Sequence, residues 1–169
     1  AEQYHLNAPG ESPGHTLQVF LKRHLVNEFA YASVPGGAVL GYRWPLHKYL
    51  QADGERRVKV VAKDDPDGMR SITLVKVAQR LPGFSLLEVT IKTGRTHQIR
   101  VHLASQGHAI AGDEKYGDFD LNRRLHRHGL KRMFLHAWRL QFNHPASGAR
   151  TELLAPLPPD LACFIPSTP

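Results

Sequence analysis

A chain of 169 residues falls within the usual size of one domain and is long enough to bury a core. Lys and Arg exceed Asp and Glu by seven, the isoelectric point is near 9.8, and eleven histidines add charge as pH falls. That balance suits an anionic partner and equally suits a surface kept soluble by charge. One cysteine, Cys163, excludes an internal disulfide and is too little for a zinc site, and no apolar run reaches membrane-spanning length. With no secretory layout in Ala1-Glu2-Gln3-Tyr4-His5, the expected setting is soluble, reducing and cytoplasmic.

The first 45 residues are poorly patterned, with Pro9-Gly10, Pro13-Gly14 and Pro35-Gly36-Gly37 around one apolar segment, Leu17 to Val26. Beyond Pro45, the β-branched stretches Arg56 to Ala62 and Ser71 to Val77 flank the turn-rich Lys63-Asp64-Asp65-Pro66-Asp67-Gly68 and predict a hairpin. Phe84 to Lys92 predicts a half-buried strand, with Leu87, Val89 and Ile91 on one face and Glu88 and Thr90 on the other. Thr93-Gly94 then turns the chain into a predicted helix, Thr96 to Gln106, with Ile99 and Leu103 inward and Gly107 as its C-terminal stop.

Asp118 is placed to cap a second helix that runs to about His128, has Leu121 and Leu125 as apolar contacts and ends at Gly129. Met133 to Phe142 alternates, with Phe134, His136, Trp138, Leu140 and Phe142 assigned to one face. A turn at Asn143 to Gly148, a strand near Thr151 to Leu154 and a short helix within Pro156 to Pro166 complete the chain. Strands in hairpins with inserted helices predict an α+β fold with a largely antiparallel mixed sheet.

The chemistry concentrates in Gly94-Arg95-Thr96-His97-Gln98-Ile99-Arg100-Val101-His102, where two arginines, two histidines, a threonine and a glutamine fall within nine residues. Such a turn can hold phosphate, sugar and base edges together. Arg95 and Arg100 flank a predicted helix start, which favours an anion; an internal salt bridge is the alternative for either. His97 and His102 are rotated by about 140° on a helix, which argues against a metal pair. Cys163, in an apolar proline-rich tail, reads as a buried inert thiol, and there is no Gly-x-Ser-x-Gly elbow, phosphate-binding loop or dinucleotide turn. The clusters Arg56, Arg57, Lys59, Lys63 and Arg123, Arg124, Arg127, each taken alone, read first as solvated faces.

At Leu86 to Leu103, followed by Gly107-His108 and Gly112-Asp113-Glu114-Lys115-Tyr116-Gly117-Asp118, the sequence resembles the RluA family of pseudouridine synthases. Pro45 to Leu50, Gly54 to Val58, Phe134-Leu135-His136-Ala137 and His144-Pro145 extend the resemblance to about two thirds of the chain. It implies an α+β catalytic domain that isomerises uridines in ribosomal RNA with no metal or organic cofactor. Arg100 would then support a catalytic aspartate, with Arg95, Thr96, His97 and Gln98 as RNA contacts. The family's His-Arg-Leu-Asp segment is absent from these residues, and Phe29-Ala30-Tyr31-Ala32-Ser33 departs from its Lys-x-Tyr-x-Ala stretch. The expectation is therefore a single incomplete catalytic domain: residues 1–45 of uncertain register, a family-like core over 46–156, and an N-terminal half elsewhere in a longer parent. By itself the 169-residue chain would bind RNA or serve only as structure, without turnover.

Overall fold

The computed structural model describes residues 25–33, 43–52 and 57–166, so Leu17 to His24 and Gly54 to Arg56 of the segments read above lie outside it. Its strands are β1 (Leu25–Ser33), β2 (Arg43–Ala52), β3 (Val58–Val61), β4 (Met69–Leu81), β5 (Phe84–Ile91), β6 (Leu135–Asn143) and β7 (Arg150–Leu154). Its helices are α1 (Gln98–Ala104), α2 (Phe119–Arg127) and α3 (Pro159–Ala162). The strands form one sheet in the order β3-β2-β4-β5-β1-β6-β7, antiparallel at every described pairing. The fold is α+β, as the sequence predicts.

Period-two burial in β4 and β5 makes the central floor. Ser71, Thr73, Val75 and Val77 of β4 are buried, as are Leu87 and Val89 of β5, while Lys76 and Glu88 pair across the two strands at 3.5 Å. Against Val75, Val77, Leu87 and Val89 pack Ile99 and Leu103 of α1, together with Leu46 and Ile110. Each such side chain contributes roughly 1.5–3 kcal/mol through burial, so α1 is held by its apolar face and not by its seven-residue length. Its end follows the predicted stop: the Gly107 N–H donates to the Ala104 carbonyl at 2.9 Å and the His108 N–H to that of Leu103 at 3.0 Å. A second cluster of Leu86, Ala111, Leu130, Phe134 and Leu161 fastens the C-terminal tail.

Four expectations are corrected. The predicted hairpin does not form, because β2 lies between β3 and β4 and pairs with both, through Tyr49 to Val61 on one side and Tyr49 to Arg70 on the other. The link from Ala62 to Gly68 is longer than common hairpin loops and carries its own turns, closed at Asp65 and Gly68. Pro45 obscures β2 in the sequence, yet the sheet accommodates it because β3 covers only Tyr49 to Ala52 and leaves the Pro45 stretch with β4 as its described partner. Within the unpatterned first 45 residues, Leu25–Ser33 supplies a strand between β5 and β6. The alternation of β6 is interrupted by a register shift that leaves Trp138 as an extra residue between Ala137 and Arg139, so burial along the strand is graded. Cys163 is exposed: Leu161 takes the inward position of α3, and two helical residues later the chain has rotated by about 200°.

Candidate nucleic-acid interface

The turn from β5 into α1 is organised by Gln98, which is 3% exposed. Its Oε1 accepts from the Thr93 hydroxyl at 2.7 Å and the Arg95 N–H at 3.1 Å, while its Nε2 donates to the Ile72 carbonyl at 3.0 Å and Thr73 Oγ1 at 2.9 Å. Thr93 Oγ1 also accepts from the Ile72 N–H at 2.9 Å. Both ends of the amide are thus spent on the fold. The assignment of Gln98 to the contact surface is corrected: it pins the turn to β4 and leaves Arg95 and Thr96 exposed beside it.

His97 caps α1 in the left-handed conformation, φ 52° and ψ 17°, without a side-chain capping bond. Histidine tolerates this region better than most residues, and the conformation accompanies a ring held against Tyr116. His97 Nδ1 lies 3.0 Å from the Tyr116 hydroxyl, and the rings meet edge to face with centroids 5.5 Å apart. That hydroxyl also accepts from the Val58 N–H at 2.8 Å, which leaves its own proton available to His97 Nδ1. A neutral imidazole with its proton on Nε2 fits this arrangement. Burial, followed by the charges of Arg100 and Lys115, lowers the His97 pKa and outweighs Asp113, which raises it.

One turn on, Arg100 forms a two-point ion pair with Asp113: Nε donates to Oδ2 and Nη2 to Oδ1, both at 2.8 Å. Asp113 is 1% exposed. Its Oδ1 also accepts from the backbone N–H groups of Lys115 at 2.9 Å and Tyr116 at 3.0 Å. Burial would raise this carboxyl's pKa, but Arg100 and the two N–H donors prevail and hold it below the ordinary carboxylate value. The hydrogen bond to Asp113 in turn raises the Arg100 pKa against desolvation, and the guanidinium lies 5.0 Å from the Tyr116 ring centroid. Of the two readings left open by the sequence, the internal salt bridge is the one Arg100 makes.

The stretch from Gly112 to Gly117 acts as the frame for that pair. A Cβ on Gly112, whose φ is +75°, would meet the Arg132 carbonyl at 2.5 Å, and one on Gly117 would meet the Asp113 carbonyl at 2.2 Å. Asn122 closes the loop, accepting from the Gly112 N–H and donating to the Asp113 carbonyl, both at 2.8 Å. Sequence reasoning assigned no role to Asp113 or Tyr116. The available signal was an aspartate between two closely spaced glycines, which marks a tight backbone frame around a polar group.

The antiparallel sheet and the cationic strand-to-helix turn define an α+β protein with a site suited to an anionic ligand. Residues 24–105 match the RNA pseudouridylate synthase family. Among curated relatives, ribosomal large subunit pseudouridine synthase C of Vibrio vulnificus is 41% identical over 103 residues, which cover 61% of this chain and 33% of that protein. The Escherichia coli protein of the same name is 43% identical over 115 residues, covering 67% of this chain and 35% of its own length. The solved structure of human RNA pseudouridylate synthase domain containing 1 shares the fold, with a TM-score of 0.67 at 22% identity over 89% of this chain and 64% of that one. The chain is thus similar to the RNA pseudouridylate synthase family over residues 24–105 and spans about a third of the length of these two curated relatives.

Proposed function

We propose that this chain is part of an RNA pseudouridine synthase that isomerises uridines of large-subunit ribosomal RNA. The reading rests above all on Arg100, which lies in the motif shared with the family and is fixed by Asp113 through only two of its N–H groups. A guanidinium has five such donors, so three are left by the bonds made among the described residues, enough for a second carboxylate. In the family that carboxylate is an aspartate that adds to the ribose or takes a proton from it while the uracil is cut from the sugar, rotated and rejoined through carbon 5. Arg100 would keep it ionised and aimed, while Arg95, Thr96 and His97 hold the RNA around a base turned out of its stack. This work requires neither a metal nor an organic cofactor, and the setting is the cytoplasm, where ribosomal RNA is the partner. No helix among the described residues is long and apolar enough to cross a membrane.

A second reading applies to the 169 residues alone: without the His-Arg-Leu-Asp segment they bind RNA or serve only as structure, without turnover. Both are tested by mapping pseudouridine in ribosomal RNA incubated with the parent protein or with this chain. The parent is expected to modify defined uridines, its Arg100→Ala variant to lose most turnover while retaining RNA binding, and the 169-residue chain to stay at background. Full turnover by Arg100→Ala would remove the role given to Arg100, and modification by the short chain would refute its inactivity.

A further inference from the structure

Beside the Arg100 pair, a cleft of about 780 Å³ opens between α2 and the segment Leu130 to Met133. Its contents are unusual for a surface that has only to be soluble. Phe119, the first residue of α2, is 73% exposed, although Asp118 fixes the start of the helix by accepting from the Leu121 N–H at 2.8 Å. No residue of α2 is buried, so packing gives no reason for a phenyl ring at this position. The Arg123 guanidinium lies 5.5 Å from the ring centroid, within cation–π range. Arg123, His126, Lys131 and Arg132 line the cleft with Arg100, and the acidic residue lining it is Glu114. Asp120 reaches Arg123 at 3.4 Å and Asp160 reaches Arg132 at 3.9 Å, but the side chains of both pairs are about half exposed or more, where such contacts hold charge only weakly.

We infer that this cleft is an additional single-stranded RNA site, in which a nucleobase flanking the target stacks on Phe119 and its phosphates rest on Arg123, Lys131 and Arg132. An exposed aromatic ring among cations is the combination that takes an unpaired nucleotide whatever its base, because the ring meets the π-face and the cations meet the backbone. An acidic peptide would engage the same cations and leave the ring without a partner. The inference rests on the RNA reading proposed above and adds a place for the strand beyond the turned-out base.

The test is fluorescence anisotropy of the 169-residue chain with a labelled 12-nucleotide oligouridylate. Phe119→Ala is expected to weaken binding about tenfold, the loss that goes with one stacked base. Arg123→Glu should weaken it at least as much, and Lys59→Glu, with the same change in charge on the exposed part of β3, by much less. In Phe119→Trp, added RNA should quench indole emission beyond the change seen in the unaltered chain, a readout that survives if the alanine variant folds poorly. The inference is overturned if Phe119→Ala and Arg123→Glu bind like Lys59→Glu, if the tryptophan is not quenched, or if an oligoglutamate of equal length binds more tightly than the RNA. Pseudouridine mapping with the parent separates the two ideas. Normal modification alongside unaffected Phe119→Ala binding sinks only the cleft, whereas absent modification with weakened Phe119→Ala binding sinks only the reaction.

Discussion

The turn into α1 and the exposed helix α2 both carry clustered cations, yet they are built in opposite ways. In the first, Gln98 and Asp113 are buried and hydrogen-bonded, Asp113 fixing the Arg100 side chain and Gln98 the Arg95 N–H, beside the exposed Thr96. In the second, Arg123, Arg124 and Arg127 are exposed on a helix that has no fully buried residue and packs on the core through the half-buried Leu125. The contrast teaches that cationic residues close in sequence are not a single kind of site. Those tied to buried partners have fixed geometry, which catalysis requires, whereas those on an open face supply charge and adaptable contacts.

The contrast breaks most sharply at Asp113. Asp113→Ala leaves Arg100 without its buried partner and two backbone N–H groups without an acceptor, and is expected to cost about 3–5 kcal/mol in urea unfolding. Gln98→Leu should follow at about 2–3 kcal/mol, since it strands the donors and acceptors that fix the turn to β4. Because the Asp113 pKa is lowered by folding, its stabilisation is present above the ordinary carboxylate value, near 4, and disappears as pH falls through the lowered one. Unfolding measured from pH 6 to pH 3 should therefore show stability falling with acid, less steeply in Asp113→Asn.

His97 sharpens the same point on a smaller scale. Its pKa is lowered in the fold, so stability declines as pH falls below the ordinary value of about 6.5, where the unfolded chain takes up the proton first. An NMR titration should place its midpoint below that value. At the far end of the comparison, Arg123→Ala on α2 should change stability by less than about 0.5 kcal/mol while reducing the salt dependence of RNA binding by about one phosphate contact. A larger stability loss there would erase the distinction between the two regions.

Local features were legible in the sequence wherever one element carried its own signal. The alternation of Leu87 and Val89 marked β5, Asp118 and Gly129 marked the ends of α2, and Ile99 with Leu103 marked the buried face of α1. Contacts between distant segments were not. Neighbouring β-branched stretches suggested a hairpin, but β2 came between them, and its Pro45 argued against a strand until its place in the sheet was known. Gln98 and Arg100 show the same divide within the site, since Gln98 read as an RNA contact and is buried, while Arg100 read as either an anion holder or a salt-bridge partner and is held by Asp113.

By itself the sequence determined that this is a basic α+β chain, fixed the motif that ties it to pseudouridine synthases, and showed that the His-Arg-Leu-Asp segment is absent from these 169 residues. Tertiary structure alone decided which polar side chains stay exposed and which serve the fold. Composition and spacing register what a side chain can bond, whereas burial and the arrival of a partner from elsewhere in the chain settle what it does bond. Asp113 lies thirteen residues beyond Arg100, and Ile72 and Thr73 of β4 lie more than twenty before Gln98, and only the folded chain brings them within hydrogen-bond reach.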